Sequence, residues 1–170
     1  MKHPLLVLSI LFVFLSCGQD PMPKPNAHLR LDFPDATYQK LDLELPFTID
    51  KNLLATKVEA KPLKGNTESY GLTLEYPSLK GSIYLTYKSV DSSKNNLMDF
   101  LSDAQKFTQE HTKKADEIVE QLYENKERRV YGMIYEVGGN AASQSQFYVT
   151  DSTNHFLTGS LYFYAKPNYD

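Results

Sequence analysis

The last forty or so residues constrain the fold most. Between Val130 and Ala165 three runs alternate apolar and polar side chains: VYGMIYEV from Val130, SQFYVT from Ser145 and FLTGSLYFYA from Phe156. Gly138–Ser143, followed by Gln144, and Asp151–His155 lie between them. Connections this short, built of Gly, Asn, Asp and Ser, join antiparallel neighbours, whereas a parallel pair needs a crossover of a dozen or more residues. The spacing predicts a three-strand antiparallel meander. Leu72, Leu74 and Tyr76 alternate in the same way, as do Ile83, Leu85 and Tyr87, with Pro77–Gly81 between them as a turn. Strands over 71–76 and 82–89 are therefore expected to pair. Leu29, Leu31 and Phe33 suggest a further strand stopped by Pro34, and Pro46–Asp50 and Thr56–Ala60 are shorter candidates.

Period two also sorts the meander into two faces. Ile134, Phe147, Val149, Leu161 and Phe163 serve one side. Tyr131, Met133, Tyr135, Tyr148, Tyr162 and Tyr164 serve the other, in a chain with 12 Tyr and no Trp. A tyrosine has an apolar ring and a polar tip, which suits a half-wet contact surface. The same face equally suits the rim of a core covered by other parts of the chain.

One long helix is expected between the two groups of strands. Leu97, Leu101, Ala104, Phe107, Ala115, Ile118 and Leu122 recur at steps of three and four, with Asn95 or Asn96 as N-cap and Asn125–Lys126 as the end. Thr108 and Thr112 are weak helix formers in its middle. His111 falls within the stripe, where a hydrogen-bonded structural role is expected, because no carboxylate or metal partner is supplied locally. The fold class that follows is α+β: a single domain with an antiparallel β-sheet and one long helix packed on one face.

The N-terminus gives an address. Lys2 and His3 precede an apolar run from Leu5 to Leu15. Eleven helical residues rise roughly 16 Å, about half of a ~30 Å hydrocarbon core, so the run fits a signal peptide and not a span. It ends in Leu15-Ser16-Cys17-Gly18, which resembles a bacterial lipobox, and Cys17 is the only cysteine. Residues 1–16 are read as a signal peptide, Cys17 as the lipidated residue, and 17–26 as a tether in which Pro21, Pro23 and Pro25 block helix and ladder pairing. Residues 27–170 form the α+β domain. Acyl chains on Cys17 would anchor the chain to a membrane, facing the periplasm. Gly18-Gln19 begins no acidic export-type run, so a periplasm-facing domain is expected rather than a surface-exposed one; the outer membrane is favoured over the inner.

Composition narrows the chemistry. A net charge of −3 argues against nucleic acid as a partner. A lone cysteine excludes an intramolecular disulfide and a Cys-rich metal site. Ser143, Asp151, Ser152 and His155 hold the residue types of a Ser-His-Asp triad, but no G-x-S-x-G elbow accompanies them. Asp151, Ser152, Thr153 and His155 read more simply as a hairpin turn whose side-chain oxygens bond to backbone N–H groups. Asp151-x-x-x-His155 is poorly spaced for a metal, and Gly138-Gly139-Asn140 is no phosphate cradle. No catalytic residue, metal or cofactor is expected. A periplasmic hydrolase and a small-ligand-binding lipoprotein remain as alternatives.

Several segments together carry a family resemblance. They are Leu29-Arg30-Leu31-Asp32-Phe33-Pro34 with Tyr38, Tyr76-Pro77, the run Ile83 to Lys88, and His111 to Ile118. Most specific is Gln146-Phe147-Tyr148-Val149-Thr150-Asp151-Ser152-Thr153 with His155-Phe156. The chain resembles the gliding-motility-associated lipoproteins of the GldD type, from the Bacteroidetes, over nearly its whole length. Tyr70 stands where that family often has Trp, and such proteins usually continue past Asp170 with a partly helical segment. The resemblance implies a non-catalytic component of the gliding machinery, linked to type IX protein secretion. It also implies other gliding or secretion envelope proteins as partners.

Overall fold

A computed structural model describes residues 34–94, 96–111, 115–139 and 143–164. The strand expected at Leu29–Phe33, the expected lipidation site Cys17 and the expected tether lie outside the described residues. The order of elements is β1 (Tyr38–Lys40), β2 (Asp50–Asn52), β3 (Lys57–Pro62), β4 (Ser69–Tyr76), β5 (Gly81–Ser89), α1 (Asn96–His111), β6 (Ala115–Asn125), β7 (Val130–Gly139), β8 (Ser143–Thr150) and β9 (His155–Phe163). β1 and β2 form a small antiparallel ribbon, and the other seven strands form one sheet in the order β3-β4-β5-β9-β8-β7-β6. Every neighbouring pair in it is antiparallel. The domain is α+β, with one α-helix among the described residues.

The β4–β5 hairpin closes through a short 3-10 turn at Pro77–Leu79. Lys80, not Gly81, takes the left-handed position, at φ 50°, and its N–H donates to Pro77 O. β5 then pairs along its whole length with β9, from Gly81↔Phe163 to Ser89↔His155. This pairing joins the early hairpin to the meander.

The long helix expected over 96–126 is corrected. α1 ends at His111, and Ala115–Asn125 is an edge strand paired with β7. Ile118 and Leu122 are four residues apart, a spacing that shares a face in a helix and in a strand alike. The adjacent β-branched pair Ile118-Val119 and Tyr123 favour the strand. Asn125 ends a strand and not a helix: its Oδ1 accepts the Arg128 N–H at 3.0 Å, and Arg129 turns the chain at φ 52°. The meander therefore has four strands.

Register puts Tyr131, Met133 and Tyr135 of β7 opposite Thr150, Tyr148 and Gln146 of β8. These face the same way as Phe156, Thr158, Ser160 and Tyr162 of β9 and Ser82, Tyr84, Thr86 and Lys88 of β5. α1 lies over this face, where Phe100 packs on Phe156 with ring centroids 5.6 Å apart. The opposite face carries the main core, Leu72, Leu74, Tyr76 and Leu85 with Ala55, and Leu41, Ile49 and Leu54 cover it from the N-terminal side. Phe47 stacks on the buried Tyr87 at 5.2 Å. Gly132 is required where β7 and β8 approach: a Cβ there would collide with the Tyr148 carbonyl oxygen and lie 2.8 Å from Val149 Cγ1.

Candidate functional site

Three places are candidates for a functional site: the tyrosine face under α1, the Asp151 turn, and the β6 edge.

On the tyrosine face the rings form a chain of contacts. Tyr135 meets Tyr148 at 6.5 Å, Tyr148 stacks on Phe156 at 5.8 Å, and Tyr84 meets Tyr162 edge-on at 5.6 Å. Tyr135 is only 4% exposed, which takes it out of any outer contact surface. Tyr131, Tyr148 and Tyr162 are half-buried. Tyr164 is 65% exposed, while its hydroxyl meets Ser82 Oγ and its N–H donates to Lys80 O at 2.7 Å. Burial raises the Tyr135 hydroxyl above the usual tyrosine value, with Tyr148 and then Glu120 adding. Tyr148 is raised by burial and by Glu120, and Tyr162 by burial and Tyr84.

Two buried polar residues that sequence reasoning passed over tie helix to sheet. Thr108 Oγ1 lies 3.1 Å from both Ala104 O and Gln146 Oε1. Gln146 Nε2 has no partner among the described residues. Turning the Gln146 amide over would let Nε2 donate to Thr108 Oγ1 while the hydroxyl proton goes to Ala104, which serves both groups. The signal was present in the alternation, since Gln146 shares its face with Tyr148 and Thr150. Between α1 and the sheet lies a cavity of about 550 Å³, walled by Phe100, Phe107, Tyr84 and Tyr162 and floored by Thr158 and Gln146.

The Asp151 turn is a closed hydrogen-bond cluster. Asp151 Oδ1 accepts the N–H groups of Thr153 at 3.0 Å, Asn154 at 2.8 Å and His155 at 2.8 Å, and Oδ2 accepts the Thr153 hydroxyl at 3.0 Å. Burial pushes this carboxyl up, but the N–H groups of Asn154, His155 and Thr153 and the Thr153 hydroxyl outweigh it and bring it down to about 2. Ser152 sits at φ 66° and its N–H donates to Thr150 Oγ1 at 3.0 Å. His155 begins β9, and its Nδ1 shares a 2.8 Å hydrogen bond with the Tyr87 hydroxyl. Ser143 opens β8 at the far end, roughly 23 Å from Thr150 at 3.3 Å per residue. Its hydroxyl bonds to Leu161 O at 2.9 Å. The hydrogen bonds of these groups assemble no triad: those of the Asp151 carboxylate go to backbone N–H groups and the Thr153 hydroxyl, that of the His155 ring goes to Tyr87, Ser152 lies within the turn, and Ser143 is at the other end of β8. His111 is the last residue of α1, so the stripe that was to enclose it ends there.

At the sheet margin β6 pairs only with β7 among the described strands, and Leu122 stands opposite Met133 and Glu120 opposite Tyr135. No group of three or more His, Cys, Asp or Glu side chains that could hold a metal occurs among the described residues. No helix among them is long and apolar enough to cross a membrane.

The comparison that decides the family spans nearly the whole chain: the model of the gliding motility lipoprotein GldD matches residues 18–170. The chain belongs to the GldD gliding motility lipoprotein family. The matched span takes in β1 to β9 and α1, and it begins immediately after Cys17. Lipoprotein character and association with the cell envelope follow from membership of the family. No curated relative and no solved structure matches the chain.

Proposed function

We propose that this GldD-family chain is a lipid-anchored, non-catalytic part of the gliding machinery that acts by protein contacts in the envelope and is linked to type IX protein secretion. Family membership supplies the gliding and lipoprotein parts. One observation carries the contact part: large apolar side chains stand in solvent away from the core, with Leu122 at 72% and Met98 at 60% exposure. On β6 the exposed Leu122, Val119 and Tyr123 lie along a sheet edge with no described strand beside it, and such an edge is open to contact with another chain. Acyl chains on Cys17 hold the domain on the periplasmic side of a membrane, the outer in preference to the inner, beside other gliding or secretion proteins.

Affinity purification of the lipidated chain from its own membranes tests this. Gliding or secretion envelope proteins are expected to come with it, and Cys17→Ser is expected to abolish fatty-acid labelling, membrane retention and gliding together. Purification of the chain alone from membranes of gliding cells would contradict the contact reading.

A second reading has the cavity under α1 in its favour. Its volume, about 550 Å³, falls in the usual range of small-molecule sites. An amphiphilic ligand held there would raise the melting temperature in proportion to the logarithm of its concentration.

A further inference from the structure

The seven-stranded sheet has two edges, and they are built differently. β3 is six residues long, carries Lys57, Glu59 and Lys61, and ends at Pro62. Lys57 bridges Glu59 at 2.8 Å and Glu75 at 3.4 Å. A short strand with paired charges and a proline resists recruitment of another strand. β6 has eleven residues, about 36 Å of extended chain, with no Lys, Arg or Pro. Its ladder runs to β7 on one side only, and no described strand lies on the other. The N–H and C=O groups on that side are a template for a further strand. Leu122 at 72% exposure projects on the α1 face, and Val119 at 48% and Tyr123 at 42% project on the other.

Charge selects the occupant. β6 contains Asp116, Glu117, Glu120 and Glu124 and no cation, and the paired strand β7 contributes only Glu136. No salt bridge among the described residues includes Glu117 or Glu120, while Glu124 meets only the exposed Lys126 at 3.6 Å. A second copy pairing edge to edge would bring two such acidic strands into one seam, and like charges across a ladder are destabilising. A basic strand would be drawn to it.

We infer that β6 is the docking edge for an extended, basic segment of a partner protein, which adds to the sheet as its eighth strand. The proposal rests on the contact reading above and names its surface and the chemistry of its partner. Glu120, Leu122 and Glu124 alternate on one face, so the incoming strand carries a basic, an apolar and a basic residue at alternate positions opposite them. Backbone hydrogen bonds hold the strand, and these side chains set its register.

The test places a photo-crosslinking amino acid at Leu122, and as a control at Lys61 on β3, in the full lipidated chain in its own cells. The linked peptide is then sequenced. Glu120→Lys with Glu124→Lys is made in the same background, both side chains being exposed. The expected result is an adduct from position 122 and not from 61, to a segment of another protein with basic and apolar residues in alternation. Its yield should fall about tenfold on charge reversal, with the melting temperature of the domain unchanged. An adduct to a second copy, to this chain's own residues or to a segment without basic residues would overturn the proposal, as would an unchanged yield or no adduct. If position 122 gives no adduct while purification still brings envelope proteins, the edge is wrong and the contact reading stands. If both fail, both are wrong.

Discussion

Glu120 of β6 stands directly opposite Tyr135 of β7, an exposed carboxylate beside a buried ring. The pair marks the line where the tyrosine face passes from beneath α1 to the open edge. Inward, Tyr135 belongs to a packed layer with Tyr148 and Phe156. Outward, nothing described covers Glu120 and Leu122.

The first prediction follows from that contrast. Leu122→Lys should leave the melting temperature almost unchanged, since exposed substitutions stay within about 0.5 kcal/mol. Tyr135→Ala should cost about 3–5 kcal/mol, as for other buried aromatic rings. Denaturant unfolding of the two variants checks this. The helical stripe first expected at 97–122 predicts instead a large cost at Leu122.

That stripe shows where the sequence was readable and where it was not. The alternations at 69–89 and 130–163 marked their strands and sorted the two faces, because a one-residue slip would have put Leu72 or Phe147 on the wrong side. Ile118 and Leu122 satisfy both periods, so spacing could not separate helix from strand there. The three-residue strands Tyr38–Lys40 and Asp50–Asn52 are too short to show a period. Of the site, the Asp151 turn was legible from its residue types. The edge was not, because it appears only once Ala115–Asn125 is known to be a strand.

The second prediction concerns the link between helix and sheet. Thr108→Val keeps the shape and removes the hydroxyl that meets Gln146. It should cost about 1–3 kcal/mol, the usual penalty for leaving a buried polar group without a partner. Adding Gln146→Leu should recover part of the loss. A double-mutant cycle by thermal unfolding measures the coupling, and strictly additive losses would deny it.

A third prediction is a pH window. The Asp151 carboxyl lies at about 2 when folded and near the ordinary value of ~3.9 when unfolded. The unfolded chain therefore takes up the proton first. The stability that Asp151 contributes is full above about pH 4 and is lost as pH falls through about 2. Asp151→Ala should cost about 1–2 kcal/mol at neutral pH, and the gap to wild type should close between pH 4 and 2. Urea unfolding at stepped pH checks it. Gliding of this variant should decline only as far as its abundance does, whereas a catalytic Asp151 would lose gliding at normal abundance.

The most direct measurement is the gliding speed of cells whose only copy of the chain carries Glu120→Lys and Glu124→Lys, at abundance and membrane retention equal to wild type. Gliding is expected to stop or slow severely, since the fold is intact and only the two side chains at 120 and 124 have changed sign, which removes the net negative charge of the edge. Cells that glide at full speed with this variant would contradict it.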